Sequence, residues 1–296
     1  ALDTCPTWWE DTSVQTMWNN AARFVALDER WDDADDVVRE VTVRLRREPL
    51  RGLVLQATRA LGEALAGRPI DAVRVAAGVN SSPDLDRLVM SRAELQLAEV
   101  LARREIGDAP DAHNELQQLV GVDLEPLTCV RGLAARELVQ LHLDRGAVDE
   151  AGRAFEVLEQ LVADQLPGPA GRRWAATVGT VLALDVGDHI EARRRAESID
   201  DPFWGPFSRA RVASVTGVGD VAAYLEGAIP RCPRHDLVRT MLQAATSRDR
   251  AASVALAERA VSIATSNGML QTLVSTGQLD LIERVAGSLR TFARQR

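Results

Sequence analysis

The sequence predicts an all-α protein, a stack of about seven helical hairpins. Three features carry that prediction. A turn signature recurs along the chain, apolar residues on both sides of it repeat at intervals of three and four, and the residues available for a core are small. With 46% hydrophobic residues but only 4% aromatic ones, the core must be built from Ala, Leu and Val, which suit helices and let them approach closely. A chain of 296 residues is long for one compact core. An array escapes that limit because each unit buries itself against its neighbours.

The signature is a Gly followed five positions later by an Ala. It occurs as Gly67/Ala72, Gly107/Ala112, Gly146/Ala151, Gly187/Ala192 and Gly217/Ala222, flanked by degenerate copies at Glu29/Ala34 and Ser247/Ala252. The first positions are 38, 40, 39, 41, 30 and 30 residues apart. Gly ends a helix by turning left-handed without a Cβ penalty. An acidic residue directly precedes the Ala in five copies, as Asp33, Asp71, Asp111, Glu150 and Glu191, where it meets the positive end of the next helix dipole. Pro69 and Pro110 fall near helix starts, where a missing N–H costs little. The Ala is expected where the paired helices touch. In the fourth unit Leu133, Ala134, Leu138, Leu141 and Leu143 precede the turn, and Ala151, Phe155, Leu158 and Val162 follow it. In the seventh, Val254, Ala257, Val261 and Ala264 form the same stripe. Linkers are expected at 80–83, 121–126, 167–169, 200–202 and 230–233, all rich in Pro, Gly, Ser or Asp.

Charge and cysteine usage exclude several functions. With 43 acidic residues against 35 basic ones, the net charge of −8 disfavours direct nucleic-acid binding. Every basic residue is Arg, which fits codon bias. Cys5, Cys129 and Cys232 are too far apart for a disulfide framework or a CxxC metal site and read as the reduced thiols of a cytoplasmic protein. No apolar run approaches the roughly 18 residues of a membrane span. The chain starts at Ala1 without a signal peptide, and a segment of a longer protein is expected. No catalytic constellation appears, so no enzyme and no cofactor are expected. His113, His142, His189 and His235 lie outside any metal-ligand spacing; His142 reads as a core imidazole and His113 and His189 as solvated. The run Asp32-Asp33-Ala34-Asp35-Asp36 lacks a calcium-loop pattern and reads as a helix start, and Arg193-Arg194-Arg195 as a solvated face.

The five-residue Gly-to-Ala offset is that of tetratricopeptide hairpins, and Trp18 lies eleven residues before Glu29, where that pattern places its own Trp. The implied architecture is one right-handed superhelix over 1–296, with terminal capping helices at 268–296. Units of about 40 residues resemble the sensor region of the MalT-like large ATP-binding regulators of the LuxR family. The segment 257–287, with Ala260, Ala264, Asn267-Gly268, Thr276-Gly277 and Leu279, is similar to the end of that region. Thr7-Trp8-Trp9 and the helix carrying Trp18 are similar to its start. The family's GxxxxGK(S/T) phosphate loop and helix-turn-helix module have no counterpart here. The resemblance implies a bacterial sensor domain that binds a sugar or other small metabolite and controls activation and oligomerisation. It also implies ATPase and DNA-binding domains outside these residues.

In tetratricopeptide stacks the first helix of each hairpin lines the concave groove, at thirteen, ten and six residues before the turn Gly. Those positions hold Leu133, Arg136 and Gln140, then Trp174, Thr177 and Val181, then Trp204, Phe207 and Arg211. The candidate ligand-binding residues are Trp174, Thr177, Arg136, Gln140, Trp204, Phe207 and Arg211. Two readings of the Trp pair stand. Exposed indoles beside Arg and Gln suit a sugar or planar metabolite. Alternatively, each indole plugs a gap where the preceding linker crosses the stack. Trp8 and Trp9 similarly read as a terminal cap or a platform. A second reading of the whole chain is a scaffold whose groove holds a peptide or partner domain.

Overall fold

The computed structural model describes residues 12–27, 29–44, 49–122, 128–166, 168–276, 280–283 and 285. Among them are only helices and turns: α1 (Thr12–Leu27), α2 (Trp31–Arg44), α3 (Pro49–Ala66), α4 (Pro69–Asn80), a 3-10 turn (Leu85–Arg87), α5 (Val89–Glu105), α6 (Ala112–Gly121), α7 (Thr128–Asp144), α8 (Val148–Asp164), α9 (Pro169–Asp185), α10 (His189–Glu197), α11 (Trp204–Thr216), α12 (Val221–Gly227), α13 (Pro233–Thr246), α14 (Arg250–Asn267) and α15 (Leu270–Ser275). No strand occurs among the described residues. Cys5, Trp8 and Trp9, the side chain of Trp18 and all of 286–296 lie outside them.

The helices end where the turn signature places them. Gly67, Gly107, Gly146, Gly187 and Gly217 all have positive φ, between 68° and 85°. Glu29 takes the same left-handed conformation at 59°, despite its Cβ. Ala72, Ala112, Ala151 and Ala192 are at most 1% exposed, as the helix-contact reading requires. The last two copies depart from the pattern. Ala222 and Ala252 are exposed. After Gly67, Gly146 and Gly187 the next helix starts two residues on, after Gly107 five and after Gly217 four. Relative to the two-residue turns, the later start turns Ala222 about 200° around its helix but Ala112 about 300°, close to a full turn; Leu225 takes the buried place in α12. Ser247 has φ −66° rather than a left-handed turn, and Asp249 caps α14 by accepting from the amides of Ala251 and Ala252.

Two compact units result, 1–103 and 104–296. In the first, α1, α2 and α3 pack mutually and α4 packs on α3, around Ala22, Val38, Val41 and Leu55. Arg23 and Thr58 both reach Glu94 of α5, a carboxylate that is only 2% exposed.

In the second unit, α8 packs on α7 and α9, α10 on α9 and α11, α12 on α11 and α13, and α14 on α13 and α15. The odd-numbered helices also pack on one another in succession: α7 on α9, α9 on α11, α11 on α13, and α13 on α15. The core is therefore a chain of local clusters. Ala151, Phe155 and Leu158 of α8 join α7 and α9. Ala192 and Ala196 of α10 join α9 and α11. Leu225 of α12 sits among Phe203, Phe207 and Ala210. Leu237 and Met241 of α13 meet Ala257, Ala260 and Ala264 of α14.

Candidate functional site

The successive packing of odd-numbered helices brings a set of charged residues together in the second unit. Helix α7 supplies Arg136, Glu137, Gln140 and Asp144, a polar stripe on a helix that buries most of its residues from Val130 to Leu143. Arg104 at the end of α5 donates to Glu137 at 3.0 Å and also pairs with Asp144. Arg136 forks onto the same Glu137 carboxylate. Gln140 donates to the second oxygen of Asp144 at 2.7 Å. From α15, Gln271 at 3.2 Å and Ser275 at 2.9 Å also donate to Asp144. Beside them Glu105 accepts from the Thr272 amide at 2.9 Å and its hydroxyl at 2.6 Å, and pairs with Arg234 of α13 at 2.7 Å.

Burial would push the Glu137 carboxyl up, but Arg136, Arg104 and Arg234 outweigh it and hold its pKa at about 2. A carboxylate with a depressed folded-state pKa stabilises the fold fully above its unfolded value, near 4.5, and loses that stabilisation as pH falls through about 2. The shift corresponds to about 3 kcal/mol. Urea denaturation at pH 7 and pH 2.5 is expected to show a drop that is smaller by about that amount in Glu137→Gln. Equal drops in the two proteins would contradict the assignment.

Arg211 of α11 stands apart from these pairs. Burial lowers the pKa of its guanidinium, while Asp185 of α9 and Asp144 of α7 draw it back up. Partial burial raises the Asp185 carboxyl, which Arg211 counteracts. Among the described residues no group lies within ion-pair distance of the Arg211 guanidinium. It is a half-buried cation with two carboxylates in its field and no direct partner.

The structure divides the seven candidate residues. Arg136, Gln140 and Arg211 belong to this polar wall, and Gln140 and Arg211 share the surroundings of Asp144. Thr177 lies on α9 between them in chain order, half-buried, its hydroxyl donating back to the carbonyls of Arg173 and Trp174. Trp174 is 2% exposed, its ring against Gly132 of α7, in the place the gap-filling reading describes. Phe207 is buried, and Trp204 is half-buried in an aromatic group with Phe203, Phe207 and His235. Phe203 stacks on the buried His235 ring at 3.8 Å, with the rings 5° from parallel. His142 is half-buried rather than a core imidazole, and it meets His113 edge to face at 5.2 Å.

The first unit has a separate cavity between α1, α2 and α3, lined by Ala22, Ala26, Trp31, Ala34 and Gly62, with Glu63 and Arg68 among its polar residues. Its volume of about 30 Å³ suits one or two waters rather than a sugar. The Trp31 indole N–H has no partner, which makes it a natural donor to such a water. Among the described residues no His, Cys, Asp and Glu cluster could hold a metal ion, and no helix is long and apolar enough to cross a membrane. Comparison with known proteins finds no match to this chain among family models, curated proteins or solved structures.

Proposed function

We propose that this chain is a non-catalytic ligand-sensing module. In this reading its helices form a right-handed superhelix of about seven tetratricopeptide-like hairpins. The odd-numbered helices line the concave side, consistent with their packing on one another in the second unit. A sugar or other small polar metabolite binds on that side, on the wall built by α7, α9 and α11. The observation that carries the reading is Arg211, a half-buried guanidinium in the field of Asp185 and Asp144, with no ion-pair partner among the described residues; Gln140 donates to the same Asp144. Donors and acceptors close together on one wall are what hydroxyl groups require, since each hydroxyl both gives and receives. Arg136 and Thr177 extend the wall, and Trp204 offers a half-buried aromatic edge. As in the MalT-like regulators that the sequence resembles, binding would control activation and oligomerisation, with ATPase and DNA-binding domains as further parts of the same protein in the cytoplasm.

The test is a thermal-shift screen of the chain with monosaccharides, disaccharides and nucleotides, repeated on Arg211→Ala. A compound that raises the melting temperature of the parent but not of the variant supports the reading. A screen without any stabilising compound, or a shift that survives in Arg211→Ala, counts against it.

A protein-interaction scaffold is favoured by a different observation. Val186 and Ile190 flank the turn at Gly187, and Val215 and Val218 flank the turn at Gly217; all four are more than half exposed, Ile190 at 86%. A partner docking on these turns would be lost in Ile190→Asp, a change that leaves the Arg211 wall intact.

A further inference from the structure

We propose that α15 is a latch, whose helical state and whose docking on Glu105 and Asp144 are one event. The proposal concerns the fold itself and holds whether or not the wall binds a metabolite.

Helix α15 has only six residues, well short of the roughly 12 at which an isolated helix becomes even marginal in water. Its own N-cap residue is Met269, whose thioether is at best a weak acceptor and makes no cap. The cap comes from far along the chain instead. Glu105 accepts the third amide of α15, that of Thr272, 167 residues away in sequence, and takes the Thr272 hydroxyl and the Arg234 guanidinium as well. Three donors on one carboxylate that is 7% exposed fix the start of α15. Gln271 in the first turn and Ser275 at the last position reach Asp144, 127 and 131 residues away.

The two sides of α15 are held by different forces. Met269 and Leu273 face α13 and α14 in an apolar cluster with Leu237, Met241 and Ala264. The contacts to Glu105 and Asp144 are polar on every atom. Apolar burial is non-directional and tolerates a change of backbone conformation, whereas the Thr272 amide is a first-turn donor without an intrahelical acceptor, and Glu105 supplies the partner that the helix start lacks. Losing the carboxylate cap therefore unwinds the helix, and unwinding the helix withdraws the donors. This mutual dependence makes a two-state element, the kind of ordering transition that switches exploit. Opening uncovers Glu105, Asp144 and Arg234, and frees Arg104 to exchange partners.

Hydrogen–deuterium exchange with mass spectrometry on the full 296-residue chain tests the latch. In the parent, residues 270–276 are expected to exchange at least about tenfold faster than 237–244 and 257–264, because the latch opens without unfolding the helices beneath it. Glu105→Ala is expected to raise the α15 rate about another tenfold while α9 and α10 keep theirs. Thr272→Val, a milder change that keeps the amide, should raise it less. If α15 exchanges in step with α13 and α14 in the parent, it is a fixed strut and the proposal fails. It fails equally if Glu105→Ala folds and leaves α15 as protected as before. Should Glu105→Ala not fold, the parent rates and Thr272→Val decide the question.

Discussion

Replacing Trp174 by alanine is expected to lower the unfolding free energy of the second unit by about 3–5 kcal/mol, read as an earlier urea transition by circular dichroism. The indole is 2% exposed, and its ring lies against Gly132 of α7. A Cβ on Gly132 would lie 3.5 Å from the Trp174 ring, so the ring lies flush on the backbone of α7 at the α7–α9 contact. Truncation leaves a cavity that Gly132 cannot fill from the other side, and two helices cannot both collapse into it while α8 holds them apart. A ligand platform behaves differently. If Trp174→Ala abolished effector binding while the urea midpoint stayed in place, the indole would belong to a binding surface and its burial would be a property of the unliganded state. Trp204 is expected to cost less on truncation, because it is half-buried and lies among Phe203, Phe207 and His235, which can close over part of the gap.

The sequence shows the local features of the fold well and the distant ones poorly. Left-handed turns are legible because one residue decides them; Gly146 and Gly187 must end their helices wherever the rest of the chain goes. The exposure of Ala222 was not legible in the spacing, because it depends on how many residues the turn spends before α12 begins. Six residues before the turn, Gln140, Val181 and Arg211 are all half-buried. Thirteen residues before it, Leu133 and Trp174 are buried. On α9 the cause is the linker before the helix, and α11 shares the arrangement. The Leu166 carbonyl lies where a Cβ on Gly171 would come within 2.5 Å, and the Ile199 carbonyl does the same to Gly205. The chain thus crosses the first turn of α9 and of α11 and covers it. Those two glycines were the available signal, since a Gly near the start of a helix often marks a close backbone approach. Glu105, Asp144 and Thr272 carry no such signal. Each reads as an ordinary helical residue, and its contact with a residue more than a hundred positions away leaves no trace in the local spacing.

Asp201 is the second position where a large effect is expected, and it lies in a stretch that the sequence presents only as a Pro-containing break. Asp201→Ala is expected to cost about 3–5 kcal/mol in the same denaturation assay. Its side chain is 3% exposed, and each oxygen has a separate task. One accepts from the amides of Phe203 at 2.8 Å and Trp204 at 2.7 Å, and so starts α11, whose own N-cap Phe203 has no acceptor. The other pairs with Arg231 at 2.8 Å, just before α13, and lies 3.6 Å from Arg173 of α9. A single carboxylate thereby joins three successive odd helices, and its loss removes the negative charge 3.6 Å from the 7%-exposed Arg173 guanidinium and 2.8 Å from Arg231. Removing one partner of a buried ion pair costs far more than the intact pair contributes. Asp201→Asn separates the two tasks: its amide oxygen can still accept from Phe203 and Trp204, so the cap survives while the charge is lost. A loss nearly as large in the Asn variant as in the Ala variant assigns the stability to the arginines. A loss confined to Ala assigns it to the start of α11, and an Ala variant within about 0.5 kcal/mol of the parent would show that neither contact holds the helices together.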